Sequence, residues 1–110
     1  MGGPAGEVIV RLALDTGATG TMVSRSLLMA AGCDPAKASE SVQITTGSGV
    51  ERVPKLRLLR FQALDRIRSN FPVLCHTLPA TAGVDGVLGL DFLGAGRLAI
   101  NFMQGTVVLE

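Results

Sequence analysis

Asp15 is the residue whose position in this sequence most directly suggests chemistry. It follows the apolar run Leu12–Leu14 and is followed at once by Thr16, Gly17 and Ala18. A carboxylate that ends an apolar strand either belongs to a turn at the sheet surface or is held beside the core as an acid or base.

Few other side chains are candidates for chemistry. His76 is the only histidine, and no serine or cysteine motif accompanies it to form a nucleophilic triad. We interpret it as an ordinary residue at the end of a strand. Cys33 and Cys75 lack the spacing of metal ligands and are interpreted as buried, reduced thiols. The sequence therefore predicts neither a metal site nor a cofactor.

The composition limits the classes of function. With 110 residues, 47% of them hydrophobic and 17% charged, the chain has the size of one domain and enough apolar material for a core and a subunit interface. A net charge of +1, without a basic block and without Tyr or Trp, argues against nucleic-acid binding. We find no apolar run of the roughly 18 residues that a membrane helix needs, and no signal-peptide pattern. The compartment stays unknown, as does whether the chain is part of a longer protein.

Short apolar segments separated by glycine-rich turns predict a single, mostly-β domain over residues 1–110. Residues 7–14 predict a strand buried on at least one face. Ser24 is a suitable N-cap and Gly32 a suitable terminator for a short helix over residues 25–31.

The second half of the chain predicts further hairpins. The stretch TTGSGV, residues 45–50, is typical of a hairpin tip, and a short helix is expected near Asp91. Residues 97–110 predict a terminal hairpin that turns at Gln104 and Gly105. Residues 1–6 are expected to be disordered or to lie outside the natural domain.

Three stretches, in this order and at this spacing, resemble the retropepsin-like aspartic proteases, a single-lobed family that includes the retroviral proteases and bacterial relatives. They are LALDTGAT at 12–19, TTGSG at 45–49 and GVLGLDFL at 86–93. The resemblance extends from about Glu7 to Leu109. It implies a closed β-barrel lobe with one or two short helices and a flap hairpin that folds over substrate.

The resemblance implies an aspartic endopeptidase. In this family two carboxylates share one proton, and one activates a water while the other protonates the substrate. Asp15 is the only aspartate that begins an Asp-Thr-Gly or Asp-Ser-Gly tripeptide. The second carboxylate must then be Asp15 of another copy of the chain, which implies a two-fold symmetric homodimer.

The resemblance also implies roles for the residues around Asp15. The Thr16 hydroxyl would bond to the partner's loop, and the Gly17 N–H would hold the carboxylate. Retroviral enzymes have an acidic residue after the alanine, where this chain has threonine. Apolar pockets would favour polypeptides with apolar residues on both sides of the scissile bond. The expected substrate-binding residues are Ala18, Thr19, Thr46, Gly47, Ser48, Gly49 and Val87.

Other classes of function remain open. The same fold could serve as a catalytically inactive dimerisation or peptide-binding module in which Asp15 is a relic. A third class is a monomeric β domain that meets its partner only transiently. The intact tripeptide and the glycine-rich hairpin favour the enzyme. Asp85, in Val-Asp-Gly, is interpreted as a turn residue without a catalytic role.

Overall fold

Short apolar segments separated by tight turns form ten strands and two short helices. The computed structural model describes all residues, 1–110. Two single 3-10 turns, Pro35–Lys37 and Ala80–Ala82, lie in the connections. The strands and helices are β1 (Gly2–Gly3), β2 (Gly6–Glu7), β3 (Leu12–Leu14), β4 (Met22–Val23), α1 (Arg25–Ala30), β5 (Glu40–Thr46), β6 (Gly49–Ala63), β7 (Arg66–Cys75), β8 (Gly86–Leu88), α2 (Leu90–Leu93), β9 (Leu98–Asn101) and β10 (Thr106–Leu109).

Eight of the strands form one curled sheet. Its order is β2-β1-β6-β7-β4-β8-β3, and β5 pairs with β6 beside this path. The end strands β2 and β3 do not pair with each other, so the sheet is a half-barrel, and the expected closed barrel is not confirmed. The predicted strand over residues 7–14 is divided, because residues 8–11 leave the sheet and Ile9 is 96% exposed.

The longest strand, β6, changes its partner part-way along. Residues 49–55 pair with β5, and residues 55–63 pair with β7. Pro54 lies just before the change, where β5 is the only neighbour. A proline is tolerated there because no second strand needs the N–H that proline lacks. The β5–β6 hairpin predicted from TTGSGV is confirmed, and it projects from the sheet as an arm.

Three aromatic rings fix α2 against the sheet. Phe61 of β6, Phe71 of β7 and Phe92 of α2 are buried, with ring centroids 5.1, 5.6 and 5.7 Å apart in the three pairs. The Arg68 guanidinium lies 5.0 Å from the Phe92 centroid and donates two hydrogen bonds to the Phe92 carbonyl oxygen. These contacts confirm a short helix near Asp91 and make it a rigid support.

Both predicted boundaries of the first helix are close to those observed. Helix α1 covers Arg25–Ala30, and the chain leaves it through Gly32 at φ +86°, a backbone conformation that favours glycine. Residues 1–6, which the sequence suggested to be disordered or to lie outside the natural domain, include the short strand β1. Gly2 pairs with both Glu7 and Arg60, and Met1 is buried in the core. Neither helix is long and apolar enough to cross a lipid bilayer.

The predicted terminal hairpin is confirmed as a separate two-stranded sheet, β9–β10. Leu98 pairs with Leu109, which is buried in the core of the lobe. The next pair on the same face, Ile100 and Val107, extends past the lobe and is 49% and 39% exposed. The hairpin thus carries an apolar face that the single chain covers only in part.

Candidate active site

Asp15 is held at the end of β3 by backbone hydrogen bonds on both sides. Leu14 pairs with Leu88 in the parallel β3–β8 ladder, and the Asp15 N–H donates to the Leu88 oxygen at 3.0 Å. The Gly17 N–H donates to Asp15 Oδ1 at 2.9 Å, and the Ala18 N–H donates to the Asp15 carbonyl at 3.2 Å. The carboxylate is thus oriented by its own turn while it remains exposed.

The segment that joins β8 to α2 passes directly beneath the Asp15 loop. The Leu90 N–H donates to the Ala18 carbonyl at 2.8 Å. A Cβ at Gly89 would lie 2.8 Å from that same oxygen and 2.8 Å from the Gly20 carbonyl carbon. Since backbone atoms surround this position, only glycine lets the loop and the support approach so closely.

Thr21 and Asp91 tie the loop to α2, a link that the sequence analysis missed. Thr21 is fully buried, and its hydroxyl donates to Asp91 Oδ1 at 2.7 Å and accepts from the Gly89 N–H at 3.1 Å. The Thr21 N–H donates to Asp91 Oδ2 at 3.1 Å. A lone carboxylate at the start of an apolar helical turn was the available signal, but its partner lies 70 positions away.

Two cavities lie on either side of Asp15, beneath the β5–β6 hairpin. The larger has a volume of about 640 Å³ and the smaller about 350 Å³. Asp15, Met22, Ile44 and Thr45 line both of them. Of the predicted site residues, the larger cavity brings Asp15 together with Thr46, Gly47, Ser48 and Val87, and the smaller with Gly17, Ala18 and Thr19. Thr16 and Gly49 line neither cavity; Thr16 is exposed at the mouth of the loop.

A family model matches most of this chain. The model described as aspartyl protease matches residues 4–92, a range that contains Asp15 and every element around the two cavities. The chain belongs to the aspartyl protease family. This membership confirms the resemblance to the retropepsin-like aspartic proteases and supports an aspartic protease function. Searches of curated proteins and of solved structures found no match.

The tip of the hairpin in this aspartyl protease is a tight turn at Gly47 and Ser48. The Thr46 hydroxyl donates to the Gly49 carbonyl at 3.2 Å and accepts from the Ser48 N–H at 3.2 Å. Gly49 has φ +120° and no atom within 4 Å of an added Cβ, so its requirement for glycine comes from the backbone and not from crowding. The tip is therefore ordered locally and exposed.

His76 lies in the wall of the larger cavity of the protease. Its Nδ1 is 3.0 Å from Glu51 Oε1, and its side chain is only 20% exposed. The interpretation of His76 as an ordinary strand-end residue was incomplete: it does follow the last residue of β7, but it faces the cleft. Nothing near His76 in the sequence marks this contact, because Glu51 reaches it from the projecting arm of β6.

The remaining lining residues of the protease come from several elements. Gln43 and Leu74 complete the smaller cavity, and Thr77, Leu78 and Pro79 complete the larger one. Strand pairing brings Gln43 and Leu74 to the cleft, with Leu74 opposite Met22 in β4–β7, whereas Thr77, Leu78 and Pro79 belong to the loop after β7. The chain contains no cluster of three or more side chains suited to hold a metal ion.

Proposed function

We propose that this aspartyl protease is an endopeptidase whose active site forms across a homodimer. The observation that carries the proposal is Asp15, fixed at the end of β3 by the Gly17 N–H and open to both cavities beneath the β5–β6 hairpin. A single chain offers one such carboxylate. Two copies that face each other would supply the pair that water activation and substrate protonation require.

Asp15 is the one aspartate that lines the two cavities, which supports it as the one that reacts. Asp34 accepts from the Ala36 N–H, Asp85 accepts from the Arg11 N–H, and Asp91 is bound to Thr21. Asp65 lies in the turn between β6 and β7. Glu51 also lines the larger cavity, but it lies on the projecting arm, with Oε1 at 3.0 Å from His76 Nδ1, and not on the loop that follows β3.

In the proposed mechanism the two Asp15 carboxyls share one proton across the two-fold axis. The ionised carboxylate takes a proton from a water as the water attacks the scissile carbonyl carbon. The protonated carboxyl gives its proton to the carbonyl oxygen, the proton taken from the water then passes to the amide nitrogen, and the C–N bond breaks as one hydroxyl of the intermediate returns its proton to the pair. Thr16 would hold the two loops together by a bond to the partner, and the β5–β6 hairpin would act as a flap that excludes bulk water.

The terminal hairpin is the surface on which we place the dimer contact. Ile100 and Val107 continue the apolar face that Leu98 and Leu109 begin, and in the single chain they are exposed. The turn adds Phe102 and Met103, which are 89% and 98% exposed. Burial of these side chains against a second copy would remove a substantial apolar area from water.

The test is cleavage of a peptide library, followed by mass spectrometry, between pH 4 and pH 8. We expect cuts at internal peptide bonds of the library peptides, with the highest activity below neutral pH. Asp15→Asn should lower the rate by about 10³-fold or more, because an amide cannot act as the base towards water. The fold and the dimer should persist, since Asn nearly matches Asp in shape.

Asp85→Asn is the matched control. The Asn side-chain oxygen can still accept the Arg11 N–H bond that Asp85 Oδ2 accepts at 2.8 Å, so activity should change little. Cleavage by the Asp15→Asn protein would refute the assignment of the base. Peptide binding without cleavage by the natural sequence would favour the inactive binding module instead, and activity from a stable monomer would exclude the dimeric site.

A further inference from the structure

We propose that Glu51 makes the larger cavity a subsite for a basic side chain, Lys or Arg, of the bound peptide. This inference rests on the proposed function in one respect, that the ligand of the cleft is a peptide. It differs from the sequence-based expectation of purely apolar pockets, because the wall supplied by β6 and the end of β7 is polar.

The charges around the larger cavity are unbalanced. Among its 13 lining residues the titratable side chains are Asp15, Glu51 and His76, and none is Lys or Arg. Two carboxylates thus face a space of about 640 Å³ with one imidazole as the only possible cation. A basic side chain in this space would be attracted by both carboxylates, whereas an acidic one would be repelled.

The nearest basic residues of the arm do not neutralise Glu51. Arg52 follows it in β6, and successive side chains of a strand point to opposite faces, so Arg52 points away from the cavity. The Lys55 ammonium is 3.6 Å from Glu40 Oε2, at the base of the arm. Neither lines the cavity. The negative charge of Glu51 is therefore available to a ligand.

The geometry of Glu51 leaves room for such a ligand. His76 contacts one oxygen, Oε1, and the Glu51 side chain remains 46% exposed. Oε2 makes no hydrogen bond within the chain and can accept one from an ammonium or a guanidinium. Because Glu51 is two residues from Gly49 on the arm, closure of the arm over a peptide would carry this oxygen onto the peptide.

The experiment measures binding separately from cleavage. The Asp15→Asn protein is titrated with positional-scanning peptide pools in which one position at a time is lysine or norleucine, and dissociation constants are read by fluorescence anisotropy. We expect lysine to bind about fivefold more tightly at one position, a difference typical of a partly exposed ion pair. Adding Glu51→Gln should abolish the preference. Glu40→Gln, a carboxylate of the same hairpin that lies outside the cavity, should leave it unchanged.

His76→Gln tests whether Glu51 recognises a cation of the peptide or only holds the arm against the lobe through its contact with His76. If Glu51 recognises a cation, removal of the competing imidazole should retain or increase the lysine preference, opposite to Glu51→Gln. If the pair only latches the arm, both variants should weaken all peptides alike, and the inference fails. It also fails if no position prefers lysine. If the natural sequence cleaves peptides but no position prefers lysine, the subsite is refuted and the protease is not. If lysine is preferred in a Glu51-dependent way but no peptide is cleaved, the protease is refuted and the subsite is not.

Discussion

Thr21 shows how one buried hydroxyl ties the loop after Asp15 to its support. It carries no reacting atom, yet its three hydrogen bonds join the loop after Asp15 to Gly89 and to Asp91 on α2. Every buried polar atom of this link has a partner. The link therefore defines where the loop stands relative to its support.

Thr21→Val should destabilise the protein while it preserves the packing volume. The valine leaves the Gly89 N–H and one Asp91 oxygen without the hydroxyl, and an unsatisfied buried polar group costs about 1–3 kcal/mol. The free energy of unfolding in urea should fall by about that amount. Thr81→Val, at an exposed threonine in a 3-10 turn, is the control and should change it by less than about 0.5 kcal/mol. Equal losses in both variants would contradict this role of Thr21.

The two cysteines should make the free energy of unfolding depend on pH in the alkaline range. Burial raises the pKa of the Cys33 and Cys75 thiols from the ordinary value of 9.0, an effect that Arg25 partly opposes at Cys75. The folded thiols hold their protons more tightly than the unfolded ones. Their contribution is therefore complete below that value and is lost as the pH rises through the raised pKa.

The measurement is urea unfolding at pH 7, 9 and 10. We expect the free energy of unfolding to decline across the last interval, and to decline less steeply in Cys33→Ala, whatever that variant loses at pH 7. In the folded protein both thiols should also react slowly with a disulfide reagent. A pH slope that is identical with and without Cys33 would rule out the thiol as its source.

At the scale of elements, local sequence patterns predicted individual helices and hairpins. They did not predict which distant strands pair with each other. Helix α1 and the β5–β6 and β9–β10 hairpins were predicted because caps and glycine turns mark them. The turn between β6 and β7 was not predicted, since it uses Leu64 and Asp65 at φ 49° and 59° instead of glycine. The division of residues 7–14 into β2 and β3 was missed for a similar reason, because an apolar run does not reveal where it leaves the sheet.

The candidate site shows the same division. The tripeptide at Asp15 and the glycines of the arm could be found in the sequence, because their backbone conformation requires particular residues. The Thr21–Asp91 link and the Glu51–His76 pair could not, because strand pairing brings them together from positions 70 and 25 apart. No local pattern fixes which face of β6 looks into the cleft at Glu51.

Two glycines at the tip of the arm should differ in how they tolerate alanine. Gly49 has φ +120°, which strains any side chain, whereas Gly47 has an ordinary φ and open space around an added Cβ. Gly49→Ala should lower the free energy of unfolding by about 1 kcal/mol or more and reduce kcat/KM by distorting the tip. Gly47→Ala should leave stability unchanged. Thermal unfolding and peptide cleavage measure both, and equal effects would contradict a backbone cause.

At the scale of the whole molecule, the exposed apolar face of the terminal hairpin is where we expect two copies of the chain to associate. Ile100→Asp should weaken the proposed dimer, because it places a charge in the apolar face shared with Val107. Sedimentation should show a dissociation constant raised by about tenfold or more, and specific activity should then fall on dilution. Leu59→Asp, at an exposed apolar position on β6, is the control for a charge outside the hairpin. An unchanged dissociation constant for Ile100→Asp would move the interface elsewhere.

Because β6 changes its partner part-way along, its two parts should differ in how fast their amide protons exchange with solvent. Amide protons exchange with solvent only when their hydrogen bonds open. Residues 49–53 are backed by β5 alone, whereas residues 56–63 lie in the long ladder with β7 above the aromatic cluster. Between them stands Pro54, which has no amide proton at all. We therefore expect the amides of residues 49–53 to exchange faster than those of residues 56–63, because the arm can open at the cost of the Glu51–His76 contact while the β6–β7 ladder stays paired.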